Sequence, residues 1–102
     1  MSQKNQYRVT PRAFEDLVSI GRHTERNWGK KQRNTYLKAI EQRFLWLAGN
    51  PLLGKHRSDI HDDYYSFPQG QHVIFYLISA HHIDIIGILH KGMDIFAYFD
   101  QD

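Results

Sequence analysis

Two histidines bracket the most apolar part of this chain: His72 near the start of "GQHVIFYLI" (Gly70–Ile78), and His90 at the end of "IDIIGILH". Imidazoles titrate near neutrality, so such a pair could serve as general base, general acid or metal ligands. A metal site needs at least one further ligand, and the seven histidines show neither HxxxH nor HExxH spacing. A nuclease needs cations fixed beside the scissile phosphate, and beyond Arg57 the sequence offers only Lys91. His72 and His90 therefore read as polar strand-end residues sharing hydrogen bonds at the rim of a groove. Tyr64, Tyr65 and Tyr76 could stack on bases or donate protons, although tyrosines at strand positions more often pack half-buried with a wet hydroxyl. No Ser/His/Asp arrangement stands out, and "GNPLLG" (Gly49–Gly54) lacks the following helix of a phosphate loop. No catalytic residue, metal ligand or cofactor is assigned.

The elements that must position these side chains follow from pattern. "QYRVT" (Gln6–Thr10) alternates and predicts a first strand. Thr10 can cap a helix, Pro11 suits its first position, and Glu15 and Asp16 favour the positive end of its dipole. Ala13, Phe14, Leu17, Val18, Ile20 and Gly21 recur at helical spacing, Trp28 continues the stripe, and Gly29 supplies a left-handed cap. Tyr36, Leu37, Ile40, Phe44, Leu47 and Ala48 form a second stripe, which ends where Gly49 and Asn50 tolerate positive φ and Pro51 blocks continuation. The two helices make an antiparallel hairpin whose tip, "RNWGKKQR" (Arg26–Arg33), could touch phosphates, although a solvated basic turn is the commoner outcome.

Three strands are expected after Pro51: one around Tyr64–Pro68, then Gln71–Ser79 and Ile83–His90. The segment "SAHH" lacks Asn-Gly or Asp-Gly, so a three-residue loop is expected between the last two, with partner positions summing to 162. In that register His72 faces His90. His72, Ile74, Tyr76 and Ile78 then share a face with Asp84, Ile86 and Ile88. Val73, Phe75 and Leu77 share the other with Ile85, Gly87 and Leu89, and this second face is the expected seat of the helices. The result is an α+β fold: a helical hairpin on one face of a small, mainly antiparallel sheet, in the order β-α-α-β-β-β.

Both sheet faces are apolar, yet two helices cover only one. The tail "GMDIFAYF" (Gly92–Phe99), with Met93, Ile95, Phe96, Tyr98 and Phe99, either completes the core or stays exposed for a partner.

The 102 residues suffice for one domain, residues 1–102. The absence of cysteine excludes disulfides and thiolate chemistry and fits a reducing interior. No stretch is long enough to span a bilayer, and "MSQKNQYR" has no apolar signal core, so a cytoplasmic protein is expected. The net charge of +2 is unevenly placed: residues 1–57 hold 12 of the 13 Lys and Arg, while seven Asp follow. That basic half could meet nucleic acid or an acidic protein.

In order along nearly the whole chain, "VTPRAFEDLVSI", "NWGKKQRNTYL", "LAGNPLLG", "SFPQGQHVIFY" and "IIGILHKGMD" resemble the ParE branch of the RelE/ParE toxins of bacterial type II toxin–antitoxin modules. The resemblance implies a small antiparallel sheet packed by a helical hairpin. It also implies a growth-inhibiting toxin that poisons DNA gyrase and is neutralised by a ParD-like antitoxin in a hetero-oligomer. RelE-like relatives instead cut messenger RNA on the ribosome, but this chain lacks the arginines on its last two strands expected of such a nuclease. Where ParE-like sequences often show Gly-Tyr-Arg before the "FPQG" segment, it has Asp63-Tyr64-Tyr65. The expected partner-binding residues are Lys55, Arg57, Tyr64, Tyr65, His72, Tyr76, His90, Lys91, Met93, Ile95, Phe96 and Phe99, and direct nucleic-acid binding is not expected. The rival readings are a ribosome-dependent endoribonuclease using His72 or His90, with Arg57 and Lys91 on phosphate, and an antitoxin-binding module without toxicity.

Overall fold

The computed structural model describes residues 6–100. Strand β1 (Gln6–Val9) leads into helix α1 (Pro11–Trp28), whose first turn is capped by the Thr10 hydroxyl accepting from the Ala13 N–H at 3.2 Å. Gly29 then turns the chain directly into α2 (Lys30–Gly49). Its φ of +92° is accessible because it has no Cβ, but its ψ of 171° is extended, so the joint differs from the left-handed cap expected. At the far end of α2 the stop comes from Pro51 alone: Asn50 has φ −141°. A 3-10 turn (Pro51–Leu53) follows, then β2 (Lys55–His56), β3 (Tyr65–Gln69), β4 (His72–Ile78), β5 (His82–His90) and a short helix α3 (Ile95–Phe99). The strand β2 and the helix α3 extend the predicted order.

The five strands lie in the order β1-β5-β4-β3-β2. β1 runs parallel to β5 and the other pairings are antiparallel. The predicted register holds from His72↔His90 to Phe75↔Gly87, and then an irregularity shifts it so that Tyr76 pairs with Ile85 and Ile78 with Ile83. One extra residue, Ile86, is thus accommodated on β5. The Ser79 N–H donates to the His82 carbonyl at 2.8 Å, closing a tight turn around Ala80 and His81 in place of the three-residue loop expected.

For β4, and for β5 from Gly87 onward, the two faces are opposite to the sequence expectation, whereas the register shift leaves Ile85 under the helices and Ile86 on the other face, as expected. Ile74, Tyr76, Ile83, Ile85 and Ile88 pack beneath the hairpin with Ala13, Ile20, Ile40, Phe44 and Leu47. Phe75 and Leu89 face the other way, with Tyr98, Val73 and Phe99 against them. Alternation defines two sets, but because both are apolar it does not say which one meets the helices. Two details of chemistry favour the observed choice. Tyr76 is fully buried, and its hydroxyl donates to the Pro51 carbonyl at 2.6 Å where the chain leaves α2. Gly87, on the opposite set, leaves room that the Tyr98 ring occupies: a Cβ there would stand 3.0 Å from that ring.

Candidate functional site

The sheet face away from the hairpin is closed by the chain itself. Asp94 caps α3 by accepting the Ala97 N–H at 3.1 Å, which turns Tyr98 and Phe99 down onto the strands. Tyr98 is only 9% exposed, and Phe99 meets Phe75 edge-on, with ring centroids 5.1 Å apart. The Tyr98 hydroxyl donates to Asp16 Oδ2 at 2.6 Å, and the same oxygen accepts the Ile88 N–H at 3.0 Å. That N–H belongs to the stretch of β5 beyond its pairing with β1, so a carboxylate from α1 substitutes for a missing strand. The Arg12 guanidinium lies 3.5 Å from the centroid of the Tyr98 ring. Burial, then the Asp16 carboxylate, hold the Tyr98 phenol well above the ordinary tyrosine range.

Arg57 is set against this face, 5.5 Å from the Phe75 ring, but its charge is engaged. Its Nε and Nη2 donate to the two carboxylate oxygens of Asp59 at 3.0 and 2.9 Å. The Asp59 hydrogen bond raises the Arg57 pKa, and the same bond lowers that of Asp59. Tyr64 stacks on His61 and meets Phe99 edge-on.

His72 opens β4, where the strand meets α2. Tyr36 reaches from α2 to sit 2.7 Å from His72 Nδ1, and its hydroxyl accepts the Gln71 N–H at 3.0 Å. Gly70 permits this approach: its φ is +59°, and a Cβ would fall 2.6 Å from the Tyr36 oxygen. Burial, then the neighbouring His90 and His23, push the His72 pKa down to about 4. The Tyr36 hydroxyl also reaches the Gln69 carbonyl at 3.3 Å, so either tautomer of the neutral imidazole can keep the Tyr36 contact, and the ring is too weak a base for proton abstraction near neutrality. His90 stands edge-on, 5.5 Å away, and its Nδ1 accepts the Gly92 N–H at 3.1 Å. No group of three or more His, Asp or Glu fit to hold a metal occurs among the described residues.

The residues singled out from sequence thus fall into separate clusters. Arg57, Tyr64, Ile95 and Phe99 lie on the self-covered face, while His72, His90, Lys91 and Met93 gather at one end of the sheet. Lys55, Tyr65 and Tyr76 belong to the β2–β3 side, where Tyr65 is sandwiched between His56 and Tyr76. Tyr76 is fully buried, so a partner cannot touch it, in contrast to the expectation. Met93 and Phe96 are about half exposed and Lys55, His90 and Lys91 lie at the surface.

Two grooves were not evident from sequence. One, of about 440 Å3, runs between the hairpin and β1, walled by Tyr7, Val9, Phe14, Leu17, Val18 and Leu37. Phe14 is 59% exposed there, although its helical spacing suggested core. The readable signal was the width of the stripe: Ala13, Ile20 and Thr24 form the packed line, and Phe14 and Val18 form a second line one residue on. The other groove, of about 540 Å3, lies at the hairpin tip between Trp28, Tyr36, Gln71, His72 and His90.

The described helices include none long and apolar enough to cross a membrane. The family model for the "ParE toxin of type II toxin-antitoxin system, parDE" matches residues 7–95. Toxin ParE1 of Caulobacter vibrioides is 29% identical over 92 residues, spanning 90% of this chain and 95% of that protein. Toxin ParE1 of Mycobacterium tuberculosis is also 29% identical over 92 residues, spanning 89% and 94%. Among solved structures, the chromosomal ParDE system of P. aeruginosa superposes with a TM-score of 0.74 at 16% identity, over 87% of this chain and 98% of that one. The YoeB dimer of Staphylococcus aureus gives 0.61 at 20% identity, over 85% and 97%. With its five-stranded sheet, covering hairpin and a match across most of its length, this chain belongs to the ParE toxin family of type II toxin–antitoxin systems.

Proposed function

We propose that this ParE-family toxin arrests growth in the bacterial cytoplasm by binding DNA gyrase without chemistry of its own, and that a ParD-like antitoxin neutralises it in a hetero-oligomer. The observation that carries this reading is the state of the sheet face away from the hairpin. Tyr98 and Phe99 fill it, and Arg57 is paired with Asp59, so it presents no open cationic platform for a scissile phosphate. The ribonuclease alternative also requires His72 or His90 as acid or base. His72 is depressed to about 4 and its Nδ1 is engaged by Tyr36, which counts against it.

Antitoxin capture is supported by exposed apolar side chains in two places: Phe14 and Val18 along the groove beside β1, and Met93 and Phe96 at the tail. An amphipathic antitoxin segment burying one such large side chain gains roughly 1.5–3 kcal/mol from it, before the cost of ordering the segment. Acidic antitoxin residues can pair with the exposed Lys55 and Lys91. Of the partner-binding set, Lys55, His90, Lys91, Met93 and Phe96 are the accessible members that this reading retains. Primer extension on messenger RNA in a translating extract tests it: no codon-phased cuts are expected from the purified chain, and cuts lost in His90→Ala would establish the nuclease instead.

A further inference from the structure

The groove at the hairpin tip has a composition that growth arrest through a protein partner does not require. Trp28, the last residue of α1, is 73% exposed. A core role would bury it, and an indole left in water at a groove edge is an aromatic surface waiting to be covered. Five rings line the groove: Trp28, Tyr36 and the imidazoles of His23, His72 and His90. Amides from Gln32 and Gln71 add hydrogen-bond donors and acceptors, and none of the lining side chains is a carboxylate. Outside it, the segment Arg22–Arg33 carries five cations and one acid, Glu25, which is ion-paired with Arg33. Arg22, Arg26, Lys30 and Lys31 are all exposed.

Flat aromatic walls with uncharged donors and acceptors suit a heterocyclic base, and the exposed Arg26, Lys30 and Lys31, within three residues of Trp28 in sequence, suit the phosphates attached to it, whereas Arg22 and Arg33 line a separate groove. We propose that the hairpin tip binds an unpaired nucleotide of single-stranded nucleic acid, with the base against Trp28 and its backbone phosphates against Arg26, Lys30 and Lys31. The floor fits this occupant. His72 stays neutral because protonation is disfavoured by burial first and then by His90 and His23, so the floor does not compete for phosphate. An acidic peptide would be expected to seek cations inside the groove, whereas here the cations stand outside it. The proposal departs from the expectation that nucleic acid is not touched directly. Sequence periodicity placed Trp28 in the core stripe and so hid the stacking surface.

The test uses the full chain carrying Trp46→Phe, which leaves Trp28 as the sole tryptophan of the two present. Titration with a ten-nucleotide oligothymidylate should quench Trp28 emission and raise the anisotropy of the labelled oligonucleotide. Trp28→Ala should weaken binding by roughly tenfold or more without moving the melting temperature, since the ring is exposed. Lys30→Gln with Lys31→Gln should flatten the slope of log K against log salt by about 1.4. The ribose oligonucleotide of the same sequence tells a DNA source from an RNA source, and either preference supports the proposal. Equal binding of a blunt duplex, displacement by polyglutamate as effective as by the oligonucleotide, or no quenching at 50 mM salt would each overturn it. These measurements contain no gyrase. Loss of oligonucleotide binding in Trp28→Ala with gyrase poisoning intact therefore leaves the proposed function standing, and binding by a chain inert toward gyrase leaves only this inference standing.

Discussion

Tyr98 and Asp16, 82 residues apart in sequence, share a 2.6 Å hydrogen bond that fastens the C-terminal helix across the free edge of β5 to the first helix. Asp16 Oδ2 is also the acceptor for the Ile88 N–H. Asp16→Ala removes the acceptor for both donors and should cost about 2–4 kcal/mol of unfolding free energy. Tyr98→Phe keeps the ring over Gly87 and should cost less, about 1.5 kcal/mol. Urea unfolding of the two variants checks the order, and limited proteolysis should cut the tail first in Asp16→Ala. Unchanged midpoints in both would show that the contact does not hold the tail.

The depressed pKa of His72 makes a stability difference with a defined sign. Unfolded, the ring titrates near 6.5; folded, near 4. Above 6.5 it is neutral in both states and contributes no pH dependence. As pH falls from 6.5 to 4 the unfolded chain takes up a proton that the folded chain refuses, so stability declines across that window and levels off below it. Because the ring is partly solvated, the loss is on the order of 1 kcal/mol rather than the full shift. His72→Gln should lose less stability than the parent chain between pH 7 and pH 4.5. An equal loss in the two proteins would remove this assignment.

Gly54 is held at zero side chain by Tyr76. A Cβ at that position would lie 2.0 Å from the Tyr76 hydroxyl oxygen and 3.0 Å from the Ser66 carbonyl. Gly54→Ala must push the phenol off the Pro51 carbonyl or shift β3, and should destabilise the fold by about 2 kcal/mol or more. Tyr76→Phe, which removes the hydroxyl's bonds to the Pro51 carbonyl and the Gly54 backbone, should cost about 1 kcal/mol. Thermal melts of both variants and of the double variant check this. Gly54→Ala in the Tyr76→Phe background should be milder than alone, because the clashing oxygen is gone.

These relationships show why part of the molecule was legible in sequence. Thr10-Pro11, the Gly29 joint and Pro51 mark helix boundaries through local chemistry, and the architecture followed from them. The expected His72↔His90 pair is present because the tighter turn and the extra residue at Ile86 offset each other, so a register counted from a three-residue loop holds at the end of the hairpin far from the turn. The extra residue itself was not legible, since a bulge leaves no mark in a run composed of Ile and Gly. The face assignment failed for a related reason. Phe75 and Ile74 are equally apolar, and what separates them is Tyr98 arriving from the far end of the chain. At the candidate sites, Phe14 and Trp28 carried a helical period that cannot report whether a second layer covers them.

If the antitoxin lies in the groove beside β1, a charge placed there should block it while leaving the fold intact. Phe14→Glu and Val18→Glu alter exposed positions, so their effect on stability should stay within about 0.5 kcal/mol. Co-expression with the cognate antitoxin should then fail to rescue growth, and affinity measured by calorimetry should fall by about tenfold or more, the value of a lost buried aromatic contact. Phe96→Glu and Met93→Glu probe the tail surface in the same way. Full rescue by antitoxin in all four variants would place neutralisation elsewhere.

The most direct measurement of the central claim is a plasmid reaction with purified gyrase, ATP and increasing amounts of this chain, quenched with detergent and protease and read on a gel. The account predicts that supercoiling stops and linear DNA accumulates in proportion to the toxin, and that Arg57→Ala, whose charge is already turned to Asp59, behaves like the parent. Unperturbed supercoiling with no linear product at any dose, from a chain that still arrests growth, would contradict it.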